Sequence, residues 1–190
     1  NQERKNLSKA MEIVSKVTGE GIKVKYILVT REHSEVGWKL RDLAMDYNIA
    51  SELMIFERGM AFGELYSLYA IADVFLLTSK AEGLGMPIME SMSVGVPVVA
   101  TACGAVPELL GDDRGWLINT EYSMIDPWGN SRRDFPNTLH AVGILEDISQ
   151  KLKITDTIVA NARQYMESRT WDFPIEQVNR SIRELLDAKI

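Results

Sequence analysis

Cysteine is almost absent from this chain. Cys103 is the only one in 190 residues, so no disulfide can form within it. That suits a reducing compartment and a cytoplasmic protein. Histidine is nearly as scarce. His33 and His140 stand far apart, and neither has a neighbouring His or Cys, so no metal-ligand spacing is visible. Positive charge is in deficit: 21 Lys and Arg against 27 Asp and Glu give a net charge of -6. A nucleic-acid coat or a clamp on an anionic membrane is therefore not expected. An anionic small ligand is not excluded, because its site is built locally from helix N-termini and one or two cations. The apolar runs reach only strand length, so no transmembrane helix is expected. Residues 1–20 lack a signal-peptide pattern.

What is present is an ordinary globular composition, 46% hydrophobic and 25% charged, enough for one domain with a sizeable core. Leu7, Ala10, Met11, Val14 and Val17 recur at helical spacing before Gly19. Ile22–Thr30 then reads as a strand. Ser34 is a candidate cap for a helix with Val36, Leu40, Leu43, Ala44 and Tyr47 inward. Leu53–Phe56 and Asp73–Thr78 read as strands around a helix at Phe62–Ala72. A helix at Met86–Val94, a strand at Val96–Ala100, a short helix at Val106–Leu110 and a strand at Gly115–Ile118 follow. Strands and helices alternate to residue 118, which predicts an α/β, Rossmann-like, doubly wound parallel sheet with flanking helices. Residues 120–136 carry Pro127, Gly129, Asn130 and Pro136 and read as a surface loop. Helices at about 137–150, 155–168 and 174–188 close the chain. Because Asn1-Gln-Glu-Arg-Lys runs into a helix with no strand before it, the chain is expected to be a fragment of something longer.

Ligands of an open parallel sheet bind outside the carboxyl ends of its strands. None of the loops there contains G-x-G-x-x-G, so a dinucleotide site of the usual form is not expected. The loop that stands out is Ser79-Lys-Ala-Glu82-Gly83-Leu84-Gly85-Met86-Pro87-Ile88-Met89-Glu90. It leaves a strand, passes two glycines and enters a helix. Glycines let a ligand approach the backbone amides, and a helix start offers unpaired N–H groups and a positive dipole end. Pro87 is tolerated in the first turn. Glu82 and Glu90 bracket this anion site, eight residues apart. Carboxylates are poor phosphate partners but good acceptors from sugar hydroxyls. The pattern suits a diphosphate between two sugars. The plainer alternative is a first-turn Glu that only favours the helix dipole.

Glu82-Gly-Leu-Gly-Met-Pro-Ile-Met-Glu90 resembles the E-x7-E motif of retaining GT-B glycosyltransferases, most closely family four. Leu65–Asp73, Phe75–Ser79, Ser91–Thr101, Gly104-Ala-Val-Pro-Glu108 and Gly115–Ile118 are similar to further landmarks of that family. Trp171 is a weaker echo. The resemblance implies the C-terminal half of a GT-B fold, one nucleotide-sugar-binding domain over residues 1–190 whose segment 171–190 packs on a missing N-terminal, acceptor-binding domain. It implies that Glu82 contacts the transferred sugar as the catalytic position and that Glu90 holds the donor ribose. The amides of Leu84, Gly85 and Met86 would meet sugar and diphosphate, and that of Ile88 would lie near the ribose. Lys5 resembles the family's phosphate-binding lysine. The activity implied is metal-independent hexosyl transfer from a nucleotide-diphosphate sugar, without a cofactor and with retained anomeric configuration. The fragment alone is expected to be inactive, with Ile175, Val178, Ile182, Leu185 and Leu186 exposed as an apolar stripe.

Other positions are open. Arg58 and Gly59 follow a short strand and could line a base pocket. His33 reads as a surface histidine. Glu108 could bind a ligand hydroxyl or cap helix amides. Met86, Met89 and Met92 read as helix packing, and Cys103 as a small core residue. A GT-B nucleotide-sugar epimerase and a non-catalytic nucleotide-sugar-binding module are the alternatives to a transferase. The base, the sugar and the acceptor are not legible.

Overall fold

A computed structural model describes residues 1–190 except 36, 58, 128, 151 and 188–190, and except the side chains of 152–155. A 3-10 turn at Glu3–Lys5 leads into α1 (Leu7–Gly19). There follow β1 (Tyr26–Val29), α2 (Leu40–Asp46), β2 (Leu53–Phe56), α3 (Phe62–Ala70), β3 (Phe75–Leu77), α4 (Met86–Val94) and β4 (Val98–Thr101). After these come α5 (Val106–Leu110), β5 (Trp116–Ile118), β6 (Thr120–Ile125), β7 (Arg132–Pro136), α6 (Thr138–Gln150), α7 (Leu152–Glu167) and α8 (Asp172–Asp187).

All ladders up to β5 are parallel. β1 pairs with β2, and β4 lies between β3 and β5. The ladders thus fall into two groups rather than one continuous sheet. Alternation along β4 shows how helices cover both faces of the second group. Val98 and Ala100 join a core cluster with Ile88 and Met92 of α4, Val106 and Leu109 of α5 and Ala162 of α7. Val99, between them, points the other way, toward Ile13 and Val17 of α1 and Ala141 and Val142 of α6. Successive strand residues point to opposite faces, and all four residues of β4 are buried, as a central parallel strand requires. The β1–β2 group closes its own cluster with Met11 and Val14 of α1 and Leu40 and Ala44 of α2. Each fully buried side chain of the size of Ile88 contributes about 1.5–3 kcal/mol of transfer free energy. The expected doubly wound α/β arrangement is present.

Three expectations change. The first strand is shorter, beginning at Tyr26, because the chain leaves α1 through a turn in which Ile22 N–H donates to the Val17 carbonyl. Ser34 caps nothing. Its carbonyl accepts from the Gly37 amide, and α2 starts later, with Lys39 at its N-cap position; Val36 lies outside the described residues. Residues 120–136 are not a loop but an antiparallel hairpin. The turn-forming residues are confined to its tip, where Gly129 and Asn130 have φ of 83° and 52°. Asp126 N–H donates to the Ser131 carbonyl across the neck at 2.9 Å, and Tyr122 stacks on Phe135 at 4.4 Å.

The stripe of α8 is exposed as expected: Ile175, Val178, Ile182, Leu185 and Leu186 are 49–66% accessible. Trp171 and Phe173, just ahead of them, are exposed too. No helix among the described residues is long and apolar enough to cross a membrane.

Candidate donor site

The site forms where β3 and β4 end. α4 begins immediately after Gly85, whose φ of 75° turns the chain into the helix. Pro87 occupies the first turn. The amides of Leu84, Gly85 and Met86 donate to no acceptor among the described residues. Ile88 differs: its N–H donates to the Gly85 carbonyl at 2.9 Å, and its side chain is fully buried. Met92 is likewise buried and Met89 packs against the same cluster. Met86, at the first helical position, turns outward and is 60% exposed, as is Leu84 at 58%. Met86 is therefore not a packing residue.

Glu82 is held from two directions. Lys5 Nζ lies 2.7 Å and Arg4 Nη1 3.1 Å from its Oε1, although the turn that carries both cations is 77 residues away in sequence. Arg4 Nη1 also donates to the Ala81 carbonyl at 2.6 Å. Beneath, the Glu82 carbonyl accepts from the Ala105 amide at 3.1 Å. This close approach demands Gly104: a Cβ there would stand 2.0 Å from the Glu82 carbonyl oxygen. Burial alone would raise the Glu82 carboxyl. The Lys5 hydrogen bond and the charges of Lys5 and Arg4 outweigh it and hold the group below the usual carboxylate range.

That depressed value fixes a sign. The ionised form is favoured in the fold, so its contribution is complete above the unfolded value of about 4.3. It is lost as pH falls through the lower folded value. The urea midpoint should therefore fall with acidification below about pH 4.3, and fall less steeply in Glu82→Gln. Equal slopes in the two proteins would contradict the assignment.

Glu90 is half-buried on α4, and its Oε2 accepts from the Tyr69 hydroxyl at 2.9 Å. Tyr69 belongs to an aromatic row of Phe62, Tyr66, Tyr69 and Phe75 whose successive rings lie 5.8–6.4 Å apart. Burial, and then the bond to Glu90, keep its phenol protonated well above the usual range. Nothing in the spacing of Tyr69 and Glu90 signals this pair. Lys80 was also unmarked by the sequence, yet it is buried and paired with Glu3.

The remaining candidates scatter. Gly59 is exposed in irregular chain after β2 with φ of 104°, and Arg58 lies outside the described residues. The His33 side chain is 94% exposed. Glu108 is exposed on α5. Cys103 is buried, donates to the Ser79 carbonyl at 3.2 Å, and burial pushes its thiol up to about 12, so it serves as packing. Among the described residues no group of three His, Cys, Asp or Glu is placed to hold a metal ion. A groove of about 410 Å³ lined by Asp112, Arg114, Asn161, Gln164, Tyr165 and Ser168 lies at the amino end of β5. That is the wrong end of a parallel sheet for its ligand.

Parallel strands wrapped on both faces, with an anion-suited helix start flanked by carboxylates at their carboxyl ends, define the C-terminal half of a GT-B fold. The chain belongs to the glycosyl transferases group 1 family, whose model it matches over residues 2–125. WcaL of Escherichia coli (strain K12), provisionally assigned as a colanic acid biosynthesis glycosyltransferase, is 28% identical across 98% of this chain. This chain spans 43% of that relative's length. Anabaena HepE, solved in complex with UDP-glucose, superposes with a TM-score of 0.74 at 20% identity, over 99% of this chain and 46% of HepE. The C-terminal domain of a group 1 glycosyl transferase from Francisella tularensis, solved by itself, gives 0.69 at 17% identity. It covers 89% of this chain and is itself 81% covered.

Proposed function

We propose that this chain is the donor half of a retaining glycosyltransferase acting on a nucleotide-diphosphate sugar in the cytoplasm. The observation that carries this is Glu82. A largely buried carboxylate is held by two cations next to three amides that have no acceptor among the described residues. Hydroxyl acceptor, phosphate partners and helix start thus converge around one loop. The UDP-glucose bound by HepE, with the same fold, supports the reading.

In this site the diphosphate lies against the amides of Leu84, Gly85 and Met86 and shares Lys5 and Arg4 with Glu82. Glu90, held by Tyr69, accepts from ribose hydroxyls. The Ile88 amide, already bonded to Gly85, contributes through helix geometry rather than as a free donor. Gly59 borders the base. As the bond from the anomeric carbon to the diphosphate breaks, negative charge gathers on the leaving oxygen. Preorganised cations and amides stabilise it there without a metal. The acceptor is held by an N-terminal Rossmann-like domain, and the exposed stripe of α8 packs against that domain. The 190 residues by themselves bind nucleotide weakly and transfer nothing.

The test uses the longer protein. Incubated with UDP-, GDP- and ADP-sugars and an acceptor, it should yield a glycoside with the anomeric configuration of the donor by NMR. An inverted product would overturn retention, and free epimerised sugar would favour the epimerase reading.

A further inference from the structure

We propose that Lys80 is a positioning residue for the donor diphosphate: it locks the Glu3–Lys5 turn onto the Glu82 loop and so sets where the Arg4 and Lys5 cations stand. This rests on the donor-site reading above.

Lys80 makes three kinds of contact, which together reach two other parts of the site. Its amide donates to the Arg4 carbonyl at 2.9 Å, tying the loop to the turn that carries both cations. Its carbonyl accepts from the Asp134 amide at 2.8 Å, tying the same loop to β7. Its Nζ pairs with Glu3 and lies 4.7 Å from the centroid of the Phe135 ring. One residue therefore joins the N-terminal turn, the strand-end loop and the hairpin, two positions before Glu82.

A buried ammonium is costly unless paired. The Lys80 side chain is 8% exposed, whereas that of Glu3 is 62% exposed. An apolar residue would fill this space without that cost. Desolvation and the nearby Arg133 charge both weaken the proton affinity of Lys80, so the site keeps a cation where one is disfavoured. The backbone bonds explain why the turn lies near the loop. The Nζ–Glu3 pair fixes its rotation, since Glu3 opens the same 3-10 turn that ends in Lys5. With the pair gone, Arg4 and Lys5 keep their tether but lose their register against Glu82.

The experiment is a titration of the 190-residue chain with UDP, GDP and ADP and with the corresponding nucleosides. It compares wild type, Lys80→Met, Glu3→Gln and the double variant. Lys80→Met keeps the apolar stem on Phe135 and removes only the charge. It should weaken the preferred nucleoside diphosphate on the order of tenfold and leave the nucleoside unchanged. Glu3→Gln should do the same, and the double variant should be no worse than either single one. Hydrogen exchange at the Lys5 amide, inside the turn, should accelerate in both single variants, while the Lys80 amide, which is the tether to Arg4, should exchange as in wild type. Equal losses for nucleoside and diphosphate, or additive losses in the double variant, would make Lys80 merely structural and overturn the proposal. Full diphosphate affinity in Lys80→Met and Glu3→Gln would overturn it alone. A wild-type chain that binds no nucleoside diphosphate would overturn the donor reading and this proposal with it.

Discussion

Gly104→Ala should dismantle the donor site, whereas Gly83→Ala in the same site should be nearly silent. The reason is geometric. At Gly104 an added Cβ would overlap the Glu82 carbonyl oxygen at 2.0 Å, with the Glu82 carbonyl carbon and amide nitrogen at 3.0 and 3.2 Å. No side-chain motion relieves a clash with backbone, so one of the two loops must move. The φ of 50° adds strain for any residue with a Cβ. Movement breaks the Ala105 N–H bond to Glu82 and displaces the Leu84, Gly85 and Met86 amides that follow it, which are the groups proposed to meet the diphosphate. At Gly83 nothing stands within 4 Å of an added Cβ. We expect Gly104→Ala to cost about 1–3 kcal/mol of stability or more and to lose nucleotide binding at least a hundredfold. Gly83→Ala should change stability by less than about 0.5 kcal/mol. Urea unfolding and calorimetric titration read both. Wild-type affinity in Gly104→Ala would show that the clamp on Glu82 is unimportant.

The second large effect is a division of labour between the two carboxylates. Glu90→Ala should weaken the nucleoside diphosphate itself, because the ribose is common to it and to the nucleotide sugar. Glu82→Ala should matter chiefly when the sugar is attached. Losing a charge-assisted hydrogen bond costs about 1.5–3 kcal/mol, or roughly tenfold to a hundredfold in affinity. Glu82→Ala also frees Lys5 and Arg4, which both pair with its carboxylate in the present arrangement. Binding of the bare diphosphate should therefore hold or tighten. Parallel titrations with and without the sugar test this. Equal losses for the two ligands in both variants would contradict the division.

Much of this architecture was legible in the chain because the relevant signals are local. Periodicity marked the helices, and the limits of α4 were readable from Gly85, Pro87 and Gly95, whose roles depend on neighbouring residues. Near-continuous apolar runs marked the parallel strands. The hairpin was missed because Pro127, Gly129 and Asn130 made the whole of 120–136 look irregular, when they only form its tip. The short polar strands TEYSMI and RRDFP carry little apolar alternation to offset that impression. Ser34 looked like a cap because capping residues are common in any loop. In the site, Glu82, Glu90 and the amides belong to one motif and could be read together. Tyr69, Arg4, the Glu3 partner of Lys80 and the clamp at Gly104 reach the site from segments distant in sequence, and such pairings leave no spacing rule. The groove beside Arg114 and Tyr165 shows the converse: a concave surface with an aromatic and a cation, 4.1 Å apart, at the end of the sheet where no donor is expected.

The central claim is that the loop from Glu82 to Glu90 receives the donor diphosphate. Amide chemical-shift mapping of the chain during titration with UDP, GDP and ADP addresses it most directly. The account predicts saturable shifts for one of the three, largest at the amides of Leu84, Gly85 and Met86 and extending to Lys5 and Glu90. Shifts confined to Asp112, Arg114, Asn161 and Tyr165, or no saturable shift with any of the three, would contradict it.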